Sequence, residues 1–150
     1  MKYFSTLITA GLISLSGSVM AQDVEFSGMS FFVTSVGTGN GGDLGGLSGA
    51  NAHCQALAES ARAGERHWHA YLSGEATAGE ARVNARDRIG SGPWYNANGV
   101  LIATNPSDLH LYNRTIDKNT AVDENGNQIN GVGDSPNRHD VLTGAQTDGT

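Results

Sequence analysis

Glycine punctuates this chain too densely for a helical bundle. Of its 21 glycines, 19 lie beyond residue 21, many beside Asn or Asp as in Asn98-Gly99 and Asn125-Gly126. Glycine weakens a helix interior by about 0.5–1 kcal/mol relative to alanine, yet it supplies the left-handed backbone that tight turns require. The pattern predicts short elements joined by many turns.

One stretch escapes this rule. Ala50, Cys54, Leu57, Ala58 and Ala61 recur at helical spacing and form a single apolar stripe. They predict a helix from about Ala50 to Ala63, with Gly64 placed as a left-handed C-terminal cap. Extended segments surround it. Met29 to Val36 alternates as a first strand, Gly37 to Gly49 is a glycine-rich loop, and His67 to Ser73 reads as a second strand with Trp68, Ala70 and Leu72 on its core face. Val83 to Ile89 is short, charged and irregular. Trp94 to Ala103 predicts a hairpin turning near Asn98-Gly99, and Asn125-Gly126 predicts a turn between Thr120–Val122 and Gln128-Ile129. Val141 to Gly144 is a last short strand. Beyond Thr104 the only aromatic is Tyr112 and large aliphatic residues are sparse, so the expectation is a domain without its closing C-terminal element.

The first 21 residues read as a cleavable export leader. Lys2 gives a positive start, Tyr3 to Val19 carries no charge, and Val19-Met20-Ala21 suits a signal peptidase, leaving Gln22-Asp23 at the mature end. A membrane anchor would need ~20 strongly apolar residues, and Ser5, Ser14, Ser16, Gly17 and Ser18 dilute this stretch. The expected organisation is leader 1–21, linker 22–27 and one domain over 28–150, located in the periplasm or outside the cell without stable membrane insertion. The net charge is −6, or −7 once Lys2 leaves, which disfavours nucleic acid and anionic lipid as partners. The lone Cys54 suggests either a bond to a thiol elsewhere or simple burial as a small hydrophobe.

No motif carries an enzyme. Gly37-Thr-Gly-Asn-Gly-Gly42 satisfies G-x-G-x-x-G, but the glycine run continues to Gly49 and the predicted helix starts too late for a dinucleotide site. His67 and His69 share a strand face and with His53 suggest a metal set, against the plainer reading of a polar outer face. No serine sits in G-x-S-x-G, Cys54 lacks an activating setting, and Glu59 and Glu65 define no cleft. Asn113-Arg-Thr115 is a glycosylation triplet. No cofactor is expected.

Several blocks taken in order resemble a known family. They are Phe31-Phe-Val-Thr-Ser35, Gly42-Asp-Leu-Gly-Gly-Leu-Ser-Gly49, Ala50-Asn-Ala-His-Cys54, Trp68-His-Ala-Tyr-Leu-Ser73, Val83-Asn-Ala-Arg-Asp-Arg-Ile89, Gly92-Pro-Trp-Tyr-Asn96 and Asn137-Arg-His-Asp-Val-Leu-Thr-Gly144. The set is similar to exported bacterial lectin-like proteins with the endostatin-like variant of the C-type lectin fold. That resemblance implies an α+β domain: a mixed, mainly antiparallel sheet with flanking helices and long ligand-bearing loops. It also implies a disulfide from Cys54 to a cysteine in a terminal strand, for which these 150 residues hold no partner. The calcium motifs of sugar-binding C-type lectins do not occur; Thr104-Asn-Pro106 and Ser135-Pro-Asn137 are partial echoes.

The expected function is a non-enzymatic recognition module for a glycan or an extracellular protein, with an exported hydrolase as the alternative. Candidate contacts combine aromatic faces with hydrogen-bonding side chains: Trp94, Tyr95 and Asn96, then Asn137, Arg138 and Asp140. Trp94 serves equally as a core anchor, and Asn137 to Asp140 as a turn network.

Overall fold

The computed structural model describes residues 28–76, 81–112 and 115–150. The expected leader, the linker and the Asn113 acceptor lie outside them. Among the described residues the longer regular elements are helix α1 (Gly46–Ser60), strand β1 (Trp94–Tyr95) and strand β2 (Leu101–Ala103), with a 3-10 turn at Ala85–Asp87 and a π-helical turn at Asp108–Tyr112. The architecture is loosely α+β, with a two-stranded antiparallel sheet in place of the larger sheet expected.

Helix α1 starts at Gly46, a turn before Ala50, because Gly45 and Gly46 both take positive φ (71° and 68°) and turn the loop into the helix. Its buried line is Ala50 and Ala58, with Cys54 half-buried between them, and Ala61 continues it at the C-cap. This is helical spacing in the small residues, which lets neighbouring chain approach closely. Leu57, expected on the stripe, is half-buried and belongs to neither core cluster. The C-terminal cap also differs from expectation. Arg62, not Gly64, is left-handed (φ 61°); its amide donates to the Glu59 carbonyl (3.0 Å) and that of Ala63 to Ala58 (2.8 Å). These paired bonds form a Schellman cap closed by a non-glycine residue. Gly64 serves another purpose, since a Cβ there would lie 2.5 Å from the Glu59 Cγ and 3.1 Å from its Cα.

The hairpin forms where its sequence places it. Trp94 pairs with Ala103 and Tyr95 with Leu101 across an irregular register, and Gly99 (φ 74°) completes the turn. The Asn125-Gly126 turn also forms: Gly126 has φ 82° and an isolated bridge joins Val122 to Gln128. Asp123 closes it by accepting the amides of Asn125 (2.9 Å) and Asn127 (2.8 Å).

The other predicted strands are extended connections held without a ladder. Ser30 and Phe31 both donate their amides to the Tyr95 carbonyl at 2.9 Å. Two donors on one acceptor put a bulge here, so Met29 and Phe32 reach one cluster (with Ala58, Ala63, Ala97, Val122 and Trp68) while Phe31 reaches the other (Trp94, Ile102, Ala103, Ile89 and Leu109). The Val141–Gly144 segment is held by the Ser73 amide donating to Thr143 (2.9 Å) and is not a strand.

Candidate functional site

Between the 30–34 segment, the 67–72 segment and α1 lies a groove of about 1010 Å³. Ala50, His53 and Cys54 of α1 contribute to its surface, and the aromatic residues Phe31, Phe32, Trp68, Tyr71 and Trp94 line it. Phe32 meets Trp68 edge to face with ring centroids 4.8 Å apart, an arrangement that fixes both rings beyond simple burial.

The wall at 67–72 is built by side chains standing in for a sheet partner. Gln55 Oε1 accepts the Trp68 amide (3.1 Å) and Asn51 Oδ1 the Ala70 amide (3.0 Å), the two acceptors lying one helical turn apart on α1. Arg88 donates to the carbonyls of Ala70 (2.7 Å) and Leu72 (3.1 Å), and to Asn51 Oδ1 (2.8 Å). The planar guanidinium spans several acceptors that a lysine ammonium would not. Partial burial works against its charge and lowers its pKa.

Within the groove, Tyr71 and His110 are 2.9 Å apart from hydroxyl to Nε2, and His110 Nδ1 lies 2.6 Å from the Pro106 carbonyl. A carbonyl only accepts, so Nδ1 carries a proton, and in the neutral ring Nε2 then accepts from the Tyr71 hydroxyl. Burial pushes the Tyr71 phenol up, with Asp148 adding to the effect. Burial likewise raises the Cys54 thiol, partly offset by the Arg88 charge. Cys54 is a free thiol. At the rim the Thr38 hydroxyl is buried with no hydrogen-bond partner among the described residues.

The candidate contact residues divide between two places. Trp94 is 8 % exposed, anchors the second cluster, lines the groove, and donates its indole N–H to the Ile89 carbonyl at 3.3 Å. Tyr95 is half-buried, and its main chain holds Ser30. Asn96 is 1 % exposed; its oxygen accepts the amides of Asn98 (3.0 Å) and Val100 (2.9 Å) and its amide donates to Thr120 (3.0 Å). Asn137, Arg138 and Asp140 are exposed. Asn137 accepts the His139 amide (3.1 Å), Arg138 is tied through its main chain to Asn130 (3.1 Å), and Asp140 pairs with His139 (3.4 Å). No hydrogen bond or ion pair joins these to the hairpin among the described residues, although Val141 to Thr143, which follow directly, line the groove.

His67 and His69 also line it and are exposed, while His53 Nε2 sits 2.8 Å from the Val36 carbonyl. No group of three His, Cys, Asp or Glu among the described residues is placed to hold a metal ion. Gly37, Gly39 and Gly41 contribute to the rim, and helix α1 begins beyond the end of their motif. Sequence reasoning missed Asn51, Gln55 and Arg88 as builders of the site. Their one signal was a polar pair at i, i+4 beside the apolar stripe.

No helix of the described residues is long and apolar enough to cross a membrane. No protein-family model matches the chain, and no curated protein or solved structure is significantly similar to it.

Proposed function

We infer that this chain is an exported recognition module, non-enzymatic, whose ligand, a glycan or an extracellular protein, lies in the aromatic groove of a C-type-lectin-like scaffold. The observation that carries this reading is the groove itself: about 1010 Å³ of mostly apolar and aromatic wall with a few fixed polar groups, the composition of ligand sites in general. The scaffold and the export rest on the sequence resemblance and on residues 1–21. The test uses a glycan array and a displayed random-peptide library, each probed with the native chain and with Leu142→Arg. Leu142 is 60 % exposed on the groove rim, so the substitution spares the core. Ligands whose binding falls about tenfold or more in the variant (~1.4 kcal/mol) support the reading. Absence of any ligand, or indifference to the variant, defeats it.

The Tyr71–His110–Pro106 relay favours one second reading, an exported hydrolase, because a hydroxyl, a base and a group orienting that base stand in line. In that case His110→Ala abolishes hydrolysis of a bound ligand; in the recognition reading no hydrolysis is detected with either chain.

A further inference from the structure

The groove is walled by two extended segments in which alternate main-chain groups meet no described partner. In an extended chain the N–H and C=O of one residue point to one edge and those of the next residue to the other. On the 67–72 wall, Trp68, Ala70 and Leu72 turn their main-chain groups to Gln55, Asn51 and Arg88. His69 and Tyr71 therefore turn theirs the opposite way, to the edge where Ser73 donates to Thr143 (2.9 Å), and no described residue bonds them. The 31–35 wall repeats the alternation. Phe31 donates to Tyr95 (2.9 Å), Val33 to Val122 (2.9 Å) and Ser35 to the Glu124 carboxylate (3.1 Å), while the main-chain groups of Phe32 and Thr34 meet no described partner. Phe32, Thr34, His69 and Tyr71 line the same groove, together with their bonded neighbours Phe31, Val33, Trp68, Ala70 and Leu72.

Charge narrows the occupant further. The chain has 15 acidic residues, yet none of those among the described residues lines the groove, whereas Arg88 and four of the five histidines do. We propose that the groove binds an extended polypeptide segment by strand addition, its main chain pairing with the open edges at Phe32 and Thr34 and at His69 and Tyr71. Its alternate apolar side chains lie against the aromatic walls, and the residues between them are acidic or neutral rather than basic. Rows of unpaired main-chain donors and acceptors recognise a peptide backbone, which a saccharide ring does not present in register. This deepens the recognition reading above and rests on it.

The experiment pans a displayed library of random twelve-residue peptides on the full chain and synthesises the selected sequences. Each is then N-methylated at every second amide, in both phases, and binding is measured alongside residue-resolved hydrogen exchange. Strand addition requires apolar residues at i, i+2 and i+4, loss of binding of about a hundredfold in one methylation phase only, and slowing of the Phe32, Thr34, His69 and Tyr71 amides by about tenfold or more. Peptides that bind without phase dependence, or without protecting those amides, overturn the inference. If only glycans bind, and lose binding in Leu142→Arg, strand addition fails while the recognition reading stands. If nothing binds in the groove, both fail.

Discussion

Arg88 Nη2 and Asn51 Oδ1 lie 2.8 Å apart, and this contact ties α1 to the wall of the groove through an acceptor that also holds the Ala70 amide. Removing either partner strands the other beside unpaired backbone. Arg88→Met is expected to cost about 2–4 kcal/mol and Asn51→Ala about 1–3 kcal/mol. The double variant should cost clearly less than the sum, because both act on one network. Arg88→Lys recovers less than half of the loss, since an ammonium does not match the fork. Urea melts of the native chain and the four variants check this; additive losses would show that the contact is not coupled.

The left-handed Arg62 inverts the usual ranking of alanine and glycine. Arg62→Gly and Arg62→Ala remove the same side chain, yet the glycine variant should be more stable by about 1 kcal/mol, because only alanine keeps the Cβ penalty. At exposed Ala56 in the middle of α1, Ala56→Gly should lose a similar ~1 kcal/mol. Thermal melts that rank Ala above Gly at both positions would refute the cap.

Asn96 and the 137–140 segment should respond in opposite ways. Asn96→Ala removes two part-buried hydrogen bonds within the hairpin turn and one to the Thr120 carbonyl, and is expected to cost about 2–4 kcal/mol. Asn137→Ala, Arg138→Ala and Asp140→Ala are exposed and should each stay within about 0.5 kcal/mol. Comparable losses at all four positions would contradict the placement of Asn96.

These positions show what the sequence discloses. The stripe through Ala50, Cys54, Ala58 and Ala61 and the Asn-Gly turns were legible because helical spacing and positive φ each leave a local signature. Arg62 was not, because nothing local marks a left-handed arginine. The ladder-free walls were not legible either. Extended residues such as Trp68 to Leu72 read as strands whether their partner is a strand or the side chains of Asn51, Gln55 and Arg88. Trp94 and Asn96 met the criterion for ligand contacts, since aromatic and amide residues near a turn also suit a core anchor and a turn clasp.

The Cys54 thiol, raised by burial, should alkylate slowly at neutral pH and faster as pH rises. A raised thiol pKa in the folded state stabilises the fold below the ordinary thiol value. That contribution declines once the unfolded thiol ionises and the folded one does not, so stability should fall on the alkaline side. Cys54→Ser should flatten this decline. Iodoacetamide kinetics and melts across alkaline pH check both parts, and rapid neutral alkylation would contradict the burial.

Native-state hydrogen exchange resolved by residue reads the two partly open main-chain edges of the groove most directly. The amides of Val33, Ser35, Trp68 and Ala70 are bonded, while those of Phe32, Thr34, His69 and Tyr71 meet no described partner. In the free chain the second set should exchange about tenfold or more faster than the first, alternating residue by residue along each wall. Uniform protection along either wall, with no alternation, would contradict the account.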